Sequence, residues 1–330
     1  MIQRIHHFVI SHDSLYNSIK FSQKFPFKQV RRYCRNSYIK NYLGELSTYS
    51  NKKPIGQVCI ETSSVCNTAC SFCPHSTMER EKKVMDDETF ERVLDQIKGF
   101  GTRNLGMYFF GEPMTDPKLA ERIKQLKSGF TSYVQIVSNG LILKENRAKE
   151  LIESGVDEVL FSLDASTEEE YKKVRKGSFE KVLANIEGLI SLKKYMNKRS
   201  PKIIVRIMVT KDNRKEVKEF VKTWRDKVDE VQFGRVHDFC QGEDKKVINT
   251  PCLFLWTQFI ILSNGDVIPC CMDYDGTMVI GNIKKKTLEE IWRGKKLMEL
   301  RKKHLAGEYP GICANCDMNE SLVAKWWNYD

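Results

Sequence analysis

A chain of 330 residues with 41% hydrophobic and 29% charged residues can bury a full core and has the make-up of a globular protein, not a low-complexity one. No apolar run nears the roughly 20 residues of a membrane span, and Arg4, His6 and His7 break up the apolar start, so neither a spanning helix nor a signal peptide is expected. The net charge is +11, and an odd count of eleven cysteines fits thiolate ligands in a reducing cytoplasm better than a secreted disulfide framework.

Residues 1–53 hold ten basic and two acidic side chains, a local net charge of +8. This basic extension suits an anionic membrane surface or an acidic partner, or forms a solvated helical collar; no nucleic-acid motif accompanies it, so nucleic acid is not expected. A strand-like run, Val58–Thr62, then leads into Cys66-Asn67-Thr68-Ala69-Cys70-Ser71-Phe72-Cys73. A four-iron cubane takes one thiolate per iron, so three cysteines in one short loop leave one iron open to a ligand. Phe72 is placed to shield such a site or stack on what binds there. The competing expectation is a structural zinc knuckle that borrows His75 as fourth ligand, although zinc sites usually come as paired two-residue spacings.

From residue 54 the pattern alternates. Strands are predicted at Val58–Thr62, Leu105–Phe110, Tyr133–Ser138, Glu158–Leu163, Ile203–Thr210 and Asp229–Gly234. Helices are predicted at Asp87–Lys98, Pro117–Lys127, Glu145–Glu153, Phe179–Tyr195 and Arg214–Asp226, with a capping box opening at Ser166-x-x-Glu169. Six such units imply an α/β fold, a partial (β/α)6 TIM-like barrel with parallel strands and ligands at the strands' C-terminal ends. The polar turns fall at those ends: Phe110-Gly111-Glu112-Pro113, Ser138-Asn139-Gly140 and Ser162-Leu163-Asp164-Ala165-Ser166. Each alone is ordinary turn chemistry. Their common phase with the cysteine loop points to one site.

The cysteine spacing, with an aromatic before the third, resembles the signature of the radical S-adenosylmethionine (SAM) enzymes, and the likeness extends over most of residues 55–235. It implies a [4Fe-4S] cluster on Cys66, Cys70 and Cys73 whose open iron chelates SAM, and a 5′-deoxyadenosyl radical that takes hydrogen from substrate. Gly111-Glu112-Pro113 resembles the family's Gly-Gly-Glu element for the SAM amino group, with Phe110 in place of its first glycine. By the same resemblance Ser138 and Asn139 pass the cofactor, Ser162 and Asp164 approach its ribose and carboxylate, and Arg175 pairs with the carboxylate, a task that suits a bidentate guanidinium.

Beyond the sixth strand the pattern breaks, which divides the chain into a basic extension (1–53), a core (54–236) and a C-terminal domain (237–330). In the last, apolar runs flank Ser263-Asn264-Gly265-Asp266, a hairpin signal, and Thr287-Leu288-Glu289-Glu290 opens a helix running toward His304 with Ile291, Trp292, Leu297 and Leu300 on its buried side. Cys252, Cys270, Cys313 and Cys316 resemble the ligands of a reduced SPASM extension, "twitch"-like, with one auxiliary [4Fe-4S] cluster. A Cys₄ zinc site uses the same residue types, and Cys271 stands as an alternative to Cys270. Cys34 and Cys59 are expected to be small buried hydrophobes.

The function expected is a cytoplasmic radical SAM oxidoreductase acting on a polar, carbohydrate-like or other small molecule, with the auxiliary cluster as electron acceptor and a low-potential donor such as flavodoxin or ferredoxin. Arg206, Arg235 and His237 are candidate substrate contacts. Two alternatives stand beside it. One is an epimerase or peptide-modifying enzyme using Cys240 or Cys271 as hydrogen donor; the other is a zinc-stabilised binding module.

Overall fold

The structure is a computed structural model that describes residues 56–102, 104–129, 133–210, 213–237, 239 and 251–316. The basic extension, Cys34 and Cys240 lie outside these residues. Among the described residues no helix is long and apolar enough to cross a membrane. They divide into two compact units, residues 56–237 with 257–294, and residue 239 with 251–256 and 295–316.

The larger unit alternates strands and helices in chain order: β1 (Gln57–Ile60), α1 (Asp87–Phe100), β2 (Asn104–Met107), α2 (Leu119–Gly129), β3 (Tyr133–Ser138), α3 (Glu145–Glu153) and β4 (Glu158–Ser162). Two helices, α4 (Glu168–Arg175) and α5 (Phe179–Tyr195), precede β5 (Lys202–Val209), then α6 (Val217–Trp224) and β6 (Glu230–Arg235). Strands β1 to β6 pair in parallel with their sequence neighbours, and β1 does not pair with β6, so the six-unit array is open as predicted. Parallel pairing covers both faces. Hence β1 is buried at all four positions and β4 at four of five.

Helix α1 shows how the sequence sets an element. Asp86 accepts the Thr89 N–H at 2.6 Å and caps it, and Gly101, at φ 75°, ends it in a left-handed turn. Between them Phe90, Val93, Leu94, Ile97 and Phe100 recur at helical spacing and are all buried, each burial worth about 1.5–3 kcal/mol for the larger side chains.

Three local expectations change. The cap of α4 is Thr167, whose hydroxyl accepts the Glu170 N–H at 3.3 Å, because Ser166 is turned to Glu216, donating its N–H to a carboxylate oxygen at 3.0 Å. The helix predicted at Arg214–Asp226 begins as a 3₁₀ turn, Arg214–Glu216. Downstream, the single helix expected toward His304 is two, α8 (Leu288–Trp292) and α9 (Lys295–Ala306), broken at Arg293-Gly294, where the division between the two units falls. The capping box at Thr287 and Glu290 is present in full, and Ile291, Trp292, Leu297 and Leu300 are all buried.

After a short helix, α7 (Phe254–Thr257), come β7 (Gln258–Ile261), β8 (Asp266–Ile268) and β9 (Gly281–Asn282). The hairpin turn has Gly265 at φ 87° and its N–H on the Leu262 carbonyl at 2.9 Å. Strand β7 lies parallel to β1 over four residues, so β7, β8 and β9 continue the core sheet past β1.

Candidate functional site

The cysteine loop leaves the buried end of β1 and is fastened on three sides. The Ser71 N–H donates to the Val174 carbonyl of α4 at 2.8 Å, the Asn139 side-chain amide donates to Asn67 at 2.8 Å, and the Glu112 N–H donates to the Val65 carbonyl at 2.8 Å. Pro74 starts a 3₁₀ turn directly after Cys73, as its fixed φ favours. The Thr68 hydroxyl stands between two of the sulfurs, 3.3 Å from Cys66 Sγ and 3.6 Å from Cys70 Sγ. His75 is turned away from this role: its Nε2 donates to the Ser64 carbonyl at 2.8 Å, and burial holds the ring below its ordinary pKa.

Among the described residues no three or more His, Cys, Asp or Glu side chains form a cage for a single metal ion. A cubane asks something else, one sulfur for each of three separate irons, and the donor set fits that group. Burial pushes the Cys73 thiol up to about 11 and raises Cys66 also, so protein surroundings alone disfavour the thiolates. A bound metal reverses that preference, since a coordinating thiol is deprotonated outright.

The polar turns converge as predicted. Glu112, 3% exposed, accepts the Met114 N–H at 3.0 Å and the Ser138 hydroxyl at 2.8 Å on Oε1, and the Asn139 N–H at 2.7 Å on Oε2. Burial raises its pKa, and these three donors oppose the rise. Gly111 sits against the Ser63 carbonyl so closely that a Cβ there would lie 2.1 Å from the oxygen. Gly111→Ala therefore displaces the turn carrying Glu112; we expect loss of 1–3 kcal/mol or about that in a denaturant titration, the usual cost of overpacking. Pro113 opens the 3₁₀ turn Pro113–Thr115.

On the opposite side Asp164 adopts a left-handed backbone, φ 61°, and its carboxylate is shared between the Met208 N–H at 2.7 Å and the Arg175 guanidinium. Arg175 also donates to Cys70 Sγ at 3.5 Å and lies over the Phe72 ring at 5.5 Å, while its Nε finds no partner among the described residues. Ser162 Oγ accepts from Arg206 at 3.1 Å, and the buried Arg206 Nε is likewise unpartnered there. The Arg175 Nε is thus a donor beside the cysteine loop without a partner among the described residues, which suits a carboxylate-bearing ligand. Arg235 is exposed on β6, and His237 is half-buried.

Sequence reasoning missed the ties of Asn67 and Thr68, and a latch behind the loop. Arg80 clasps the fully buried Glu61 with two hydrogen bonds, of 2.6 and 2.5 Å, and donates its Nε to the Tyr274 carbonyl at 2.5 Å. Asp275 accepts the Glu79 N–H at 2.7 Å from the same side. Nothing local in the sequence signals these pairings, which span up to 196 residues.

In the same unit Cys270 Sγ accepts the Met272 N–H at 3.3 Å, whereas Cys271 packs on the apolar cluster of Cys59, Ile260, Leu262 and Ile268. In the smaller unit Cys313 lies within the 3₁₀ turn Gly311–Asn315 and Cys316 caps its end, and the Cys252 N–H donates to His304 Nδ1 at 3.2 Å. Burial lowers His304 to about 4.

Comparison with known proteins is consistent across three measures. The family model described as the radical SAM superfamily matches residues 60–224, and one described as an iron–sulfur cluster-binding domain matches residues 252–317. A tungsten-containing aldehyde ferredoxin oxidoreductase cofactor-modifying protein of Pyrococcus furiosus is 25% identical over 318 residues, covering 79% of this chain and 87% of its own. An S-adenosyl-L-methionine-dependent 2-deoxy-scyllo-inosamine dehydrogenase of Niallia circulans is 23% identical, covering 82% and 96%. Among solved structures, BtrN in complex with AdoMet and 2-DOIA aligns with a TM-score of 0.58 at 20% identity over 80% of this chain and 94% of that one. The anSMEcpe structure with bound AdoMet aligns at 0.63 and 19% identity over 84% and 93%. At such identities the structural matches speak for the fold.

Proposed function

The chain belongs to the radical SAM superfamily, and from that premise we propose that it oxidises a polar small molecule by removing hydrogen from one of its C–H bonds. The observation that carries this reading is the joining of Arg175, Asp164 and Phe72 to the sulfur of Cys70, with the Arg175 Nε left without a partner among the described residues. When bound, a reduced [4Fe-4S] cluster on Cys66, Cys70 and Cys73 supplies the electron that cleaves SAM to a 5′-deoxyadenosyl radical, the species that abstracts substrate hydrogen. Before that, Arg175 would take the SAM carboxylate through its Nε while Asp164 holds the guanidinium in place. Glu112 keeps the Ser138 and Asn139 turn beside the cysteine loop, and Phe72 covers it. Arg206 donates to a substrate oxygen in this reading.

Cys252, Cys270, Cys313 and Cys316 would hold an auxiliary cluster, which would supply an acceptor for the electron that the substrate radical gives up after losing hydrogen. Cys270 is preferred to Cys271 because its sulfur already accepts a backbone N–H, an arrangement that favours a thiolate, while Cys271 lies against apolar side chains. A cyclitol or similar polar substrate is favoured by the likeness to the dehydrogenase of Niallia circulans. A low-potential flavodoxin or ferredoxin supplies the first electron in the cytoplasm, and the +8 extension offers a surface for an anionic membrane or acidic partner.

Anaerobic reconstitution tests the two-cluster form: about eight irons per chain are expected, and roughly four, or zinc instead, would overturn it. Cys313→Ala with Cys316→Ala should still cleave SAM but yield no oxidised product from substrate. A product isomeric with the substrate that gains one deuterium when formed in D2O, and that is lost in Cys240→Ala or Cys271→Ala, would make the enzyme an epimerase.

A further inference from the structure

The end of β5 is tied to the end of β4 through side chains. Regular pairing of the two strands stops at Ser162 opposite Arg206, and the N–H groups of Leu163 and Asp164 share the Arg206 carbonyl at 3.0 and 3.4 Å. Asp164 then turns into the left-handed region, φ 61°. That backbone is unfavourable for a residue with a side chain and persists only where the surroundings over-determine it. Met208, on the same side of β5 as Arg206, meets side chains from that point on. Its N–H donates to Asp164 Oδ1 at 2.7 Å, and its carbonyl accepts the Asn213 side-chain amide at 2.8 Å.

Asn213, 2% exposed, sits at the centre of this closure. Its amide nitrogen also donates to the Asp164 carbonyl at 3.3 Å, so one side chain grips the left-handed residue and the strand beside it. Its Oδ1 accepts the Thr210 N–H at 2.8 Å, while its own backbone N–H donates to Thr210 Oγ1 at 3.2 Å, a reciprocal pair that fixes the side chain. The far oxygen of the Asp164 carboxylate holds Arg175, which in turn reaches Cys70 Sγ at 3.5 Å. None of the hydrogen bonds described for Asn213 goes to Arg175 or to the cysteine loop. Its influence on them runs through Asp164.

We propose that Asn213 is a positioning residue: by holding Asp164 in its left-handed turn it aims the Asp164 carboxylate at Arg175 and so orients the guanidinium for the carboxylate of SAM. The inference rests on the reading that Arg175 receives that carboxylate. Without the amide, two buried carbonyls lose a donor and the turn loses the contact that pins it. Asp164 then relaxes away from the Met208 N–H, and Arg175 keeps its charge but not its direction. A guanidinium–carboxylate pairing depends on both.

The test compares SAM with decarboxylated SAM, which keeps the sulfonium, amine and nucleoside and lacks only the carboxylate. Both are titrated anaerobically into the iron-reconstituted chain with its clusters oxidised, so that binding is read and nothing turns over. In Asn213→Ala the preference for SAM over the decarboxylated compound should shrink by about tenfold, through weaker binding of SAM alone. In the iron-free protein the Met208 amide should exchange with deuterium faster in the variant than in wild type. Thr210→Val disturbs the same loop but leaves the Asn213 amide in place, and should keep the preference. Where Asn213→Ala does not fold, Asn213→Ser carries the test, since its hydroxyl can still accept the Thr210 N–H while both carbonyls lose the amide. Equal weakening of the two ligands would make Asn213 a structural residue only and overturn the proposal, as would an unchanged preference or an unmoved Met208 amide. If Arg175→Ala keeps the wild-type preference, the reading of Arg175 itself fails, a separate outcome.

Discussion

In Cys70→Ala, formation of 5′-deoxyadenosine from SAM falls to background, and iron content falls by about four per chain. Cys70 is the most buried of the three loop cysteines, and its backbone carbonyl receives the Cys73 N–H at 3.1 Å. Its sulfur is also the one that Arg175 approaches. Alanine removes a proposed cluster ligand that His75 does not replace, since its ring is committed to the Ser64 carbonyl. Deoxyadenosine is read by chromatography after anaerobic incubation with dithionite, and iron by a chelation assay. Thr68→Val is the control: it removes a hydroxyl between two sulfurs but no ligand, and product formation should persist. Turnover by Cys70→Ala at the unaltered rate would refute the assignment.

Arg80→Ala has the largest expected effect on stability, a loss of about 3–5 kcal/mol. Glu61 is 0% exposed, and Arg80 supplies both of the hydrogen bonds that hold its oxygens from the side chain. Removing the arginine leaves a charge in the interior. Burial already raises the Glu61 pKa, with Arg80 the chief group opposing that rise. Without it the carboxyl binds a proton more readily folded than unfolded, so stability falls as pH rises above the carboxylate range. The deficit measured by denaturant titration should therefore narrow on acidification. Replacing the pair together, Arg80→Met with Glu61→Leu, should recover much of the loss. If the single variant is as stable as wild type at pH 7, the latch carries no weight.

The pieces legible in sequence were those with a local signature. Three cysteines within eight residues, strand–turn alternation and the capping box at Thr287 each advertise themselves over a few positions, and the structure keeps them. Tyr133–Ser138, Glu145–Glu153 and Phe179–Tyr195 appear with the bounds their periodicity implies. What escaped was settled by partners distant in the chain. Ser166 looked like a cap until Glu216, fifty residues on, claimed it. The side-chain bond of Asn67 to Asn139 and the clasp of Arg80 on Glu61 join residues whose types are ordinary in loops. The break before Lys295 escaped for another reason, since a lone glycine does not usually stop a helix.

The parallel pairing of β7 with β1 constrains how this chain can be cut. Strand β1 has a neighbour on each side, β2 and β7, and the loop carrying the three cysteines leaves from its end. A shortened protein ending before residue 251 would expose the β7-facing row of β1 as a raw sheet edge made of Val58, Cys59 and Ile60. Such a margin recruits other chains and aggregates. The C-terminal hairpin is thus a selvage that keeps the weave closed beside the cysteine loop, and swapping it between relatives would succeed only where its register with Gln57–Ile60 is preserved.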